Sequence, residues 1–230
     1  MTSFVSHELK TPLTSIQGFA ELLEAPERLA PEDRLDAARL IREETARLAQ
    51  MVTDYLQLSR LEKQAVPLHR VEADLSGILA RAGILVEKEY RNRSIGLVGL
   101  DRLPTVPASV DRDLLTQLFL NLLANAAKFS AAGTEVRVRL TRRDSVSIVE
   151  ITDQGRGIPE DEIGRVFDKF YRGSADLDGT VPGSGLGLAF VKAVAQQHGG
   201  SVAVTSRPGV GSTFKVMLPC RPSETPEATS

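Results

Sequence analysis

The first sixty residues are the most constraining part of the sequence, because apolar side chains recur there at alternating spacings of three and four. The first series consists of Leu9, Leu13, Ile16, Ala20 and Leu23. A second series, in a strongly charged background, consists of Ala38, Ile41, Thr45, Leu48, Val52, Tyr55, Leu58 and Leu61. This spacing is typical of a helix with one buried seam. The sequence therefore predicts two helices, separated by a break around Pro26 and Pro31.

Two such helices, joined by a short loop, predict an antiparallel hairpin. A helix with only one partner leaves much of its apolar stripe in water. A symmetric dimer that forms a four-helix bundle would cover both stripes, and packing against the rest of the chain is the alternative. We expect the dimer, because heptad-like seams usually pair with each other.

A histidine stands beside a helix breaker at the start of the first helix. At about 100° per residue, His7 and Thr11 lie near each other on a face turned away from Leu9. Pro12 has no N–H to donate and its ring crowds the carbonyl of Glu8, so the helix can bend beside the histidine. An exposed, neutral imidazole has a lone pair that can attack phosphorus, with Glu8 placed to accept the proton. A surface histidine without function is the alternative.

The composition of the 230 residues, 42% of them hydrophobic, is ordinary for a globular protein and sufficient for two domains. Its 28 Lys and Arg residues against 30 Asp and Glu residues give a net charge of -2, which argues against a nucleic-acid binder. The single cysteine, Cys220, cannot form an internal disulfide, and no Cys/His cluster has zinc-site spacing. These residues include no signal peptide and no long apolar run, so we expect a cytoplasmic location.

Beyond a short connection that contains Pro67, strands, helices and glycine-rich loops alternate, which predicts a second domain. Segments 135–140 and 146–152 have strand periodicity and are close enough to pair as antiparallel neighbours. Two later strands, SVAVTS and STFKVMLP, flank a Pro-Gly turn. Helical patterns occupy 74–89, 111–128 and 186–198. We expect an α+β sandwich in which helices cover one face of a mixed sheet.

The predicted helix 111–128 carries a polar edge beside an apolar face. The apolar face consists of Leu115, Leu118, Leu122 and Ala126. Asn121, Asn125 and Lys128 follow along one edge, and two amides with an ammonium suit a magnesium-bound triphosphate. A structural asparagine that bonds the backbone is the alternative at either amide.

Two glycine motifs follow. In "ITDQGRGIP", Asp153 shares a strand face with Ile151, so its carboxylate would enter an apolar slot and accept from an exocyclic amine. In "PGSGLGLAF", Gly183, Gly185 and Gly187 precede a helix, so bare amides and the positive helix end can surround phosphate oxygens. A plain glycine-rich helix start is the alternative for the second motif.

Other nucleotide-binding motifs are missing from the sequence. It contains neither a P-loop nor the protein-kinase H-R-D and D-F-G set. Between Phe167 and Gly185 lies a long segment rich in Gly, Asp and Ser, which predicts a mobile lid over a phosphate site.

Five motifs in this order, "SHELKTPL", "NLLANAAKF", "DQGRGIP", "FDKFYRG" and "GSGLGLAF", resemble the catalytic core of sensor histidine kinases of two-component systems. The resemblance covers nearly the whole chain. It implies a dimerisation and phosphotransfer hairpin over 1–64, an ATP-binding domain of the GHKL type over 65–220, and a disordered tail over 221–230. It also implies autophosphorylation with ATP and Mg²⁺, and a response-regulator receiver domain as partner.

The resemblance assigns roles to the residues that match the motifs. His7 is the phosphoacceptor, Glu8 assists it, and Thr11 orients water when the regulator is dephosphorylated. Asn125 is the magnesium ligand, with Asn121 as a second candidate, and Asp153 reads adenine. The implied ATP-binding set is Asn121, Asn125, Lys128, Phe129, Asp153, Gly155, Gly157, Ile158, Phe167, Phe170, Tyr171, Arg172, Gly183, Ser184, Gly185, Leu186, Gly187 and Leu188.

Two departures from the family pattern stand out. Gln154 replaces the commoner Asn in the adenine motif, which we expect to cost little. Met1 stands six residues before His7, whereas family members extend the first helix upstream, so we expect a fragment of a longer sensor, which can carry a membrane anchor, and a weakened dimer. The competing readings are another GHKL ATPase, which would lack the histidine hairpin, and a nucleotide-binding pseudokinase scaffold, against which the complete motif set argues.

Overall fold

The structure, a computed structural model, describes residues 2–24, 30–63, 67–91, 95–173 and 183–220, with side chains from Lys10 onward. The predicted break at Pro26, most of the predicted lid (174–182) and the predicted tail (221–230) lie outside these residues. The chain divides into two compact units, Met1–Ser59 and Arg60–Ser230. The predicted domain limits at 64 and 220 stay predictions.

The first unit contains the two predicted helices. Helix α1 spans Thr2–Glu24 and continues through Pro12, which is buried. Helix α2 spans Pro31–Glu62, and Pro31 occupies the first helical position, where its missing N–H costs nothing. A bend at Pro12 and the antiparallel packing of the two helices stay predictions.

The apolar stripe of α2 is only partly buried in a single chain. Ile41 and Leu48 are half-buried, while Leu58 is buried. Val52 and Tyr55, expected in the same seam, are 48% and 40% exposed. On α1, Leu13 and Ala20 are likewise exposed. A single chain therefore leaves much of the seam exposed, as expected for helices with few partners.

The second unit is built around a five-stranded mixed sheet. Its strand order is β2-β4-β5-β7-β6, in which β2 runs parallel to β4 and every other neighbouring pair is antiparallel. The strands are β2 (Gly96–Val98), β4 (Glu135–Arg143), β5 (Val146–Thr152), β6 (Ser201–Arg207) and β7 (Gly211–Pro219). The four longest of these match the predicted strands, and the mixed sheet is confirmed.

Two further strands form a separate antiparallel pair that the sequence did not reveal. Strand β1 spans Val71–Asp74 and pairs with β3, which spans Pro107–Val110. Strands of four residues carry too little periodicity to be read from sequence alone, and the same holds for the three-residue β2.

Helices cover one face of the large sheet. The helices are α3 (Leu75–Glu89), α4 (Arg112–Phe129), the short α5 (Glu160–Ile163) and α6 (Gly187–Gln197), with a 3-10 turn at Leu100–Arg102. Buried residues alternate along β4 at Val136, Val138 and Leu140, as expected for a strand with one covered face. The inward residues predicted for α4 are all buried, and α4 packs against both α3 and α6.

Two aspartates cap helices where the sequence placed the first helical residue. Asp74 precedes α3, and its Oδ1 accepts from the N–H of Ser76 at 3.1 Å. Asp111 precedes α4, and its Oδ1 accepts from the N–H of Leu114 at 3.1 Å. Aspartate satisfies otherwise unpaired N–H groups at these positions, so the helices begin one residue later than predicted. Within the described ranges, no helix is long and apolar enough to cross a membrane.

Candidate functional site

A cavity of about 410 Å³ opens in the second unit between α4, the loop after β5, the segment before α6 and strand β7. Most of the residues assigned from the motifs line it. They are Asn125, Lys128, Phe129, Asp153, Gly157, Ile158, Tyr171, Arg172, Gly183, Ser184, Gly185, Gly187 and Leu188. Four separate stretches of sequence therefore meet in one place.

Asp153 follows β5 and is 6% exposed. Its Oδ1 accepts two backbone hydrogen bonds, from Gly155 at 2.9 Å and from Ser212 at 3.2 Å. Burial raises the pKa of Asp153 above its ordinary value, against the opposing effect of the two N–H donors. Among the described residues no donor bonds Oδ2, so this oxygen is the one left for a ligand.

The turn after Asp153 depends on glycine. Gly157 has a φ of 72°, and a Cβ there would lie 2.2 Å from the backbone oxygen of Arg207. Gly155 does not line the cavity, and a Cβ on it would lie 2.6 Å from the carbonyl oxygen of Phe129. The turn therefore packs closely against the end of α4 on one side and the β6–β7 hairpin on the other.

A cation and an aromatic ring form one wall of the cavity. The Nζ of Lys128 lies 5.2 Å from the ring centroid of Phe129, and the guanidinium carbon of Arg156 lies 4.8 Å from it. A Cβ on Gly183 would lie 2.8 Å from that Nζ, so the ammonium sits directly beside the glycine loop. Cations at these distances are attracted to the ring face.

The glycine loop is held by Phe170. The N–H of Phe170 donates to the carbonyl of Gly185 at 2.9 Å, and both residues have positive φ, 61° and 68°. A Cβ on Gly185 would lie 2.6 Å from the carbonyl carbon of Phe170. Phe170 is buried and does not line the cavity, so it supports the loop from behind.

Three more assigned residues do not line the cavity but contact residues of its surroundings or lie in the core. Leu186 is buried in the core. Phe167 packs edge-on against Phe214, with ring centroids 6.4 Å apart. The Nδ2 of Asn121 donates to the carbonyl of Gly187 at 3.4 Å, so this amide ties α4 to the start of α6.

Tyr171 faces the cavity beside an acidic residue. Burial raises the pKa of Tyr171, and the charge of Glu162, which also lines the cavity, raises it further. The guanidinium of Arg165 lies 4.7 Å from the Tyr171 ring centroid. These contacts fix the first residue after the Phe170 anchor.

The residues proposed for phosphotransfer belong to the first unit. His7 and Glu8 lie in α1, but their side chains are outside the described part of the chain. Thr11 is exposed, as predicted.

Two family models match the chain. The His Kinase A (phospho-acceptor) domain matches residues 1–64, and the histidine kinase-, DNA gyrase B- and HSP90-like ATPase matches residues 110–222. A solved structure of the mycobacterial sensor histidine kinase MprB is 33% identical, with a TM-score of 0.57, over 66% of this chain and 99% of that chain. The chain belongs to the sensor histidine kinase family.

Other histidine kinases and sensor proteins extend the likeness along nearly the whole chain. Sensor protein SphS of Synechococcus elongatus is 36% identical in an alignment 241 positions long, which covers 97% of this chain and 55% of SphS. The structure of full-length ShkA in complex with AMPPNP is 29% identical, with a TM-score of 0.69, over 95% of this chain and 45% of that chain. This chain spans about half the length of the curated relatives it matches. The predicted family and α+β fold class are confirmed.

The sequence motifs did not predict several of the residues that line the cavity of this histidine kinase family member. They are Arg156, Pro159, Glu162, Val166, Gly173, Pro208, Ser212 and Phe214. Ser212 and Phe214 share one face of a predicted strand, but their position beside Asp153 depends on the pairing of β5 with β7. That pairing joins residues about sixty positions apart, and no local sequence pattern predicts it.

The donor set of the cavity fits a magnesium-bound nucleotide. Mg²⁺ typically takes one or two protein oxygens and completes its shell with substrate phosphates and water. The amide of Asn125 offers such an oxygen, and Lys128 stands beside the bare backbone of Gly183. Within the described ranges, no group of three or more His, Cys, Asp and Glu residues is arranged to hold a metal ion.

Proposed function

We propose that this chain is the catalytic core of a sensor histidine kinase, which transfers the γ-phosphoryl group of ATP to His7 and then to a receiver-domain aspartate of a response regulator. The observation that carries the proposal is a single cavity that combines a buried carboxylate with glycine backbone beside an ammonium. Such a cavity suits a purine and its phosphates together.

Asp153 and the wall around Phe129 bind the adenine base. The free Oδ2 of Asp153 accepts from the exocyclic amine, while Oδ1 is held by two backbone donors. The ring of Phe129 flanks the base, and Ile158 and Leu188 add apolar walls.

The glycine loop and α4 bind the phosphates. Gly183, Ser184 and Gly185 precede the N-terminus of α6, where backbone N–H groups and the helix dipole favour an anion. Lys128 neutralises phosphate charge, and Asn125 is the protein ligand of Mg²⁺, which would neutralise and orient the β- and γ-phosphates. Asn121 is the weaker ligand candidate, because its amide already contacts Gly187 and Gln117.

Phe167 and Phe170 anchor the start of a lid whose remaining part follows Arg172. Phe170 fixes the glycine loop through Gly185, and Tyr171 and Arg172 face the cavity. A lid anchored in this way can close over bound phosphates and exclude water from the transfer step.

The transfer is a substitution at phosphorus. A lone pair of the His7 imidazole forms an N–P bond while the bond from the γ-phosphorus to the bridging oxygen breaks, which releases ADP. Glu8 accepts the ring proton. The labile P–N bond then donates the phosphoryl group to the carboxylate of the regulator. In the separate phosphatase activity, Thr11 orients a water that attacks the phosphoryl group on the regulator's aspartate, which releases inorganic phosphate and the free carboxylate.

The same proposal includes a homodimer formed through α1 and α2. Leu13, Val52, Tyr55 and Leu56 are between 40% and 50% exposed in the single chain. A second copy would cover these apolar side chains in a four-helix bundle. We place this core in the cytoplasm, as part of a longer sensor.

Incubation with γ-labelled ATP and Mg²⁺ tests the function. The protein should acquire label that is stable in base and labile in acid, and His7→Gln should remove it while leaving ADP affinity unchanged. Label retained by His7→Gln would refute the acceptor, whereas a wild-type protein that does not bind ADP would refute the cavity.

A further inference from the structure

Two serines on the neighbouring strands β6 and β7 form a hydroxyl network behind the cavity. Ser206 and Ser212 are cross-strand partners, and their Oγ atoms lie 2.9 Å apart. The Oγ of Ser206 also lies 2.8 Å from the backbone N of Ile158 and 2.9 Å from the carbonyl oxygen of Gly211. Ser212 lines the cavity and Ser206 does not.

The neighbours of Ser206 determine where each hydroxyl hydrogen points. A serine hydroxyl has one hydrogen and two lone pairs. The carbonyl of Gly211 can only accept, so it takes the hydrogen of Ser206, and the N–H of Ile158 can only donate, so it uses one lone pair. The remaining lone pair of Ser206 accepts the hydrogen of Ser212, an arrangement that satisfies all three contacts.

This arrangement fixes the polarity that Ser212 presents to the cavity. Because its hydrogen points back to Ser206, its Oγ has only lone pairs left for a ligand. The neighbouring Asp153 also presents an acceptor, and the N–H of Ser212 bonds the Oδ1 of that carboxylate at 3.2 Å. This corner of the cavity therefore accepts hydrogen bonds at two adjacent points.

We propose that Ser206 is a positioning residue for base selectivity, which holds the Ser212 hydroxyl as an acceptor so that the corner selects a 6-aminopurine over a 6-oxopurine. This inference rests on the proposed nucleotide site. The exocyclic amine of a 6-aminopurine supplies two hydrogens, one for Asp153 and one for Ser212. The carbonyl of a 6-oxopurine would instead place its lone pairs against the lone pairs of these two acceptors. Discrimination of this kind arises when a polar group in the site is left unpaired.

Removal of Ser206 should relax the selectivity. Without its partner, the hydroxyl of Ser212 can rotate and donate to the oxygen of a 6-oxopurine. Titration calorimetry of the full chain with ADP and with IDP, both with Mg²⁺, measures the ratio of the two dissociation constants. We expect Ser206→Ala to reduce the preference for ADP about five- to tenfold, the effect of one reversed hydrogen bond.

Further variants separate selectivity from damage to the fold. Ser206→Cys keeps the shape but bonds weakly, and it should also reduce the preference for ADP. Ser212→Ala removes the hydroxyl itself, so adding Ser206→Ala to it should leave the ratio unchanged. Thr213→Ala is the matched control, because it removes a hydroxyl pair of 3.0 Å with Thr152 from the uncovered face of the sheet. It should keep the wild-type ratio.

The outcomes discriminate between this inference and the site on which it rests. If the ratio of the ADP and IDP dissociation constants is unchanged in both Ser206→Ala and Ser206→Cys, the inference is refuted. The proposed nucleotide site stands in that case, because the protein still binds ADP. An equal loss of preference with and without the Ser212 hydroxyl would also refute it. If Ser206→Ala binds neither nucleotide, the ratio of the two dissociation constants measured for Ser206→Cys tests the inference instead. A wild-type protein that binds neither ADP nor IDP would refute the proposed site, and the inference with it.

Discussion

Replacing Asp153 by asparagine should weaken nucleotide binding without unfolding the protein. The N–H groups of Gly155 and Ser212 both donate to Oδ1, so the amide oxygen of Asp153→Asn should take that place. The NH₂ group would then face the cavity where the exocyclic amine of adenine needs an acceptor. Loss of one hydrogen bond to a charged group costs about 1.5–3 kcal/mol, which is roughly a 10- to 150-fold weaker affinity for ADP.

Although Asp153→Asn should weaken nucleotide binding, it should stabilise the folded protein relative to the wild type as the pH rises toward neutrality. Burial raises the pKa of Asp153, so its protonated form stabilises the folded state. That contribution is present below the unfolded-state pKa of about 3.9 and is lost as pH rises through the higher folded-state pKa. Asp153→Asn has no such dependence. Its Tm relative to the wild type should therefore increase as the pH rises from about 4 toward neutrality.

Calorimetric titration with ADP and thermal melts without nucleotide measure both effects. Asp101→Asn is the matched control, because Asp101 is an exposed aspartate of the same unit. It should leave the ADP affinity unchanged. A folded Asp153→Asn protein with wild-type ADP affinity would refute the assignment of Asp153 to the base.

Three other substitutions, one of them with a matched control, test separate parts of the proposed function. Gly185→Ala should cost at least about 1–2 kcal/mol of unfolding free energy because of its positive φ, and it should weaken ADP binding. Gly164→Ala, with ordinary φ and open space, should do neither, as melts and calorimetry will show. Asn125→Ala should lose most of the gain in ADP affinity on adding Mg²⁺, and an equal gain would contradict its role. Thr11→Ala should autophosphorylate normally but dephosphorylate the regulator slowly, and equal rates in phosphate-release assays would refute this.

The parts of the fold that the sequence predicted are those governed by local rules. The period of α4 follows from apolar spacing within one helix, and Leu115 and Leu118 are buried as expected. Asp153 and Gly157 were assigned because the local motif DQGRGIP resembles that of sensor histidine kinases, and the positive φ of Gly157 agrees with a turn there.

The parts that were missed depend on contacts between distant segments. The neighbourhood of Ser212 and Asp153 exists only once β7 pairs with β5. Phe170 was expected as an anchor of the lid, and its backbone bond to Gly185 is a contact that no spacing rule predicts. Periodicity places the α2 seam, but it does not say how much of the seam a single chain covers.

Localising the phosphoryl group after brief incubation with ATP and Mg²⁺ tests the central claim most directly. Peptides are prepared at neutral or basic pH and analysed by mass spectrometry. We predict one phosphorylated peptide, which contains His7 and loses its added mass in acid. A phosphoryl group on a serine or threonine, or none in a protein that binds ADP normally, would contradict the account.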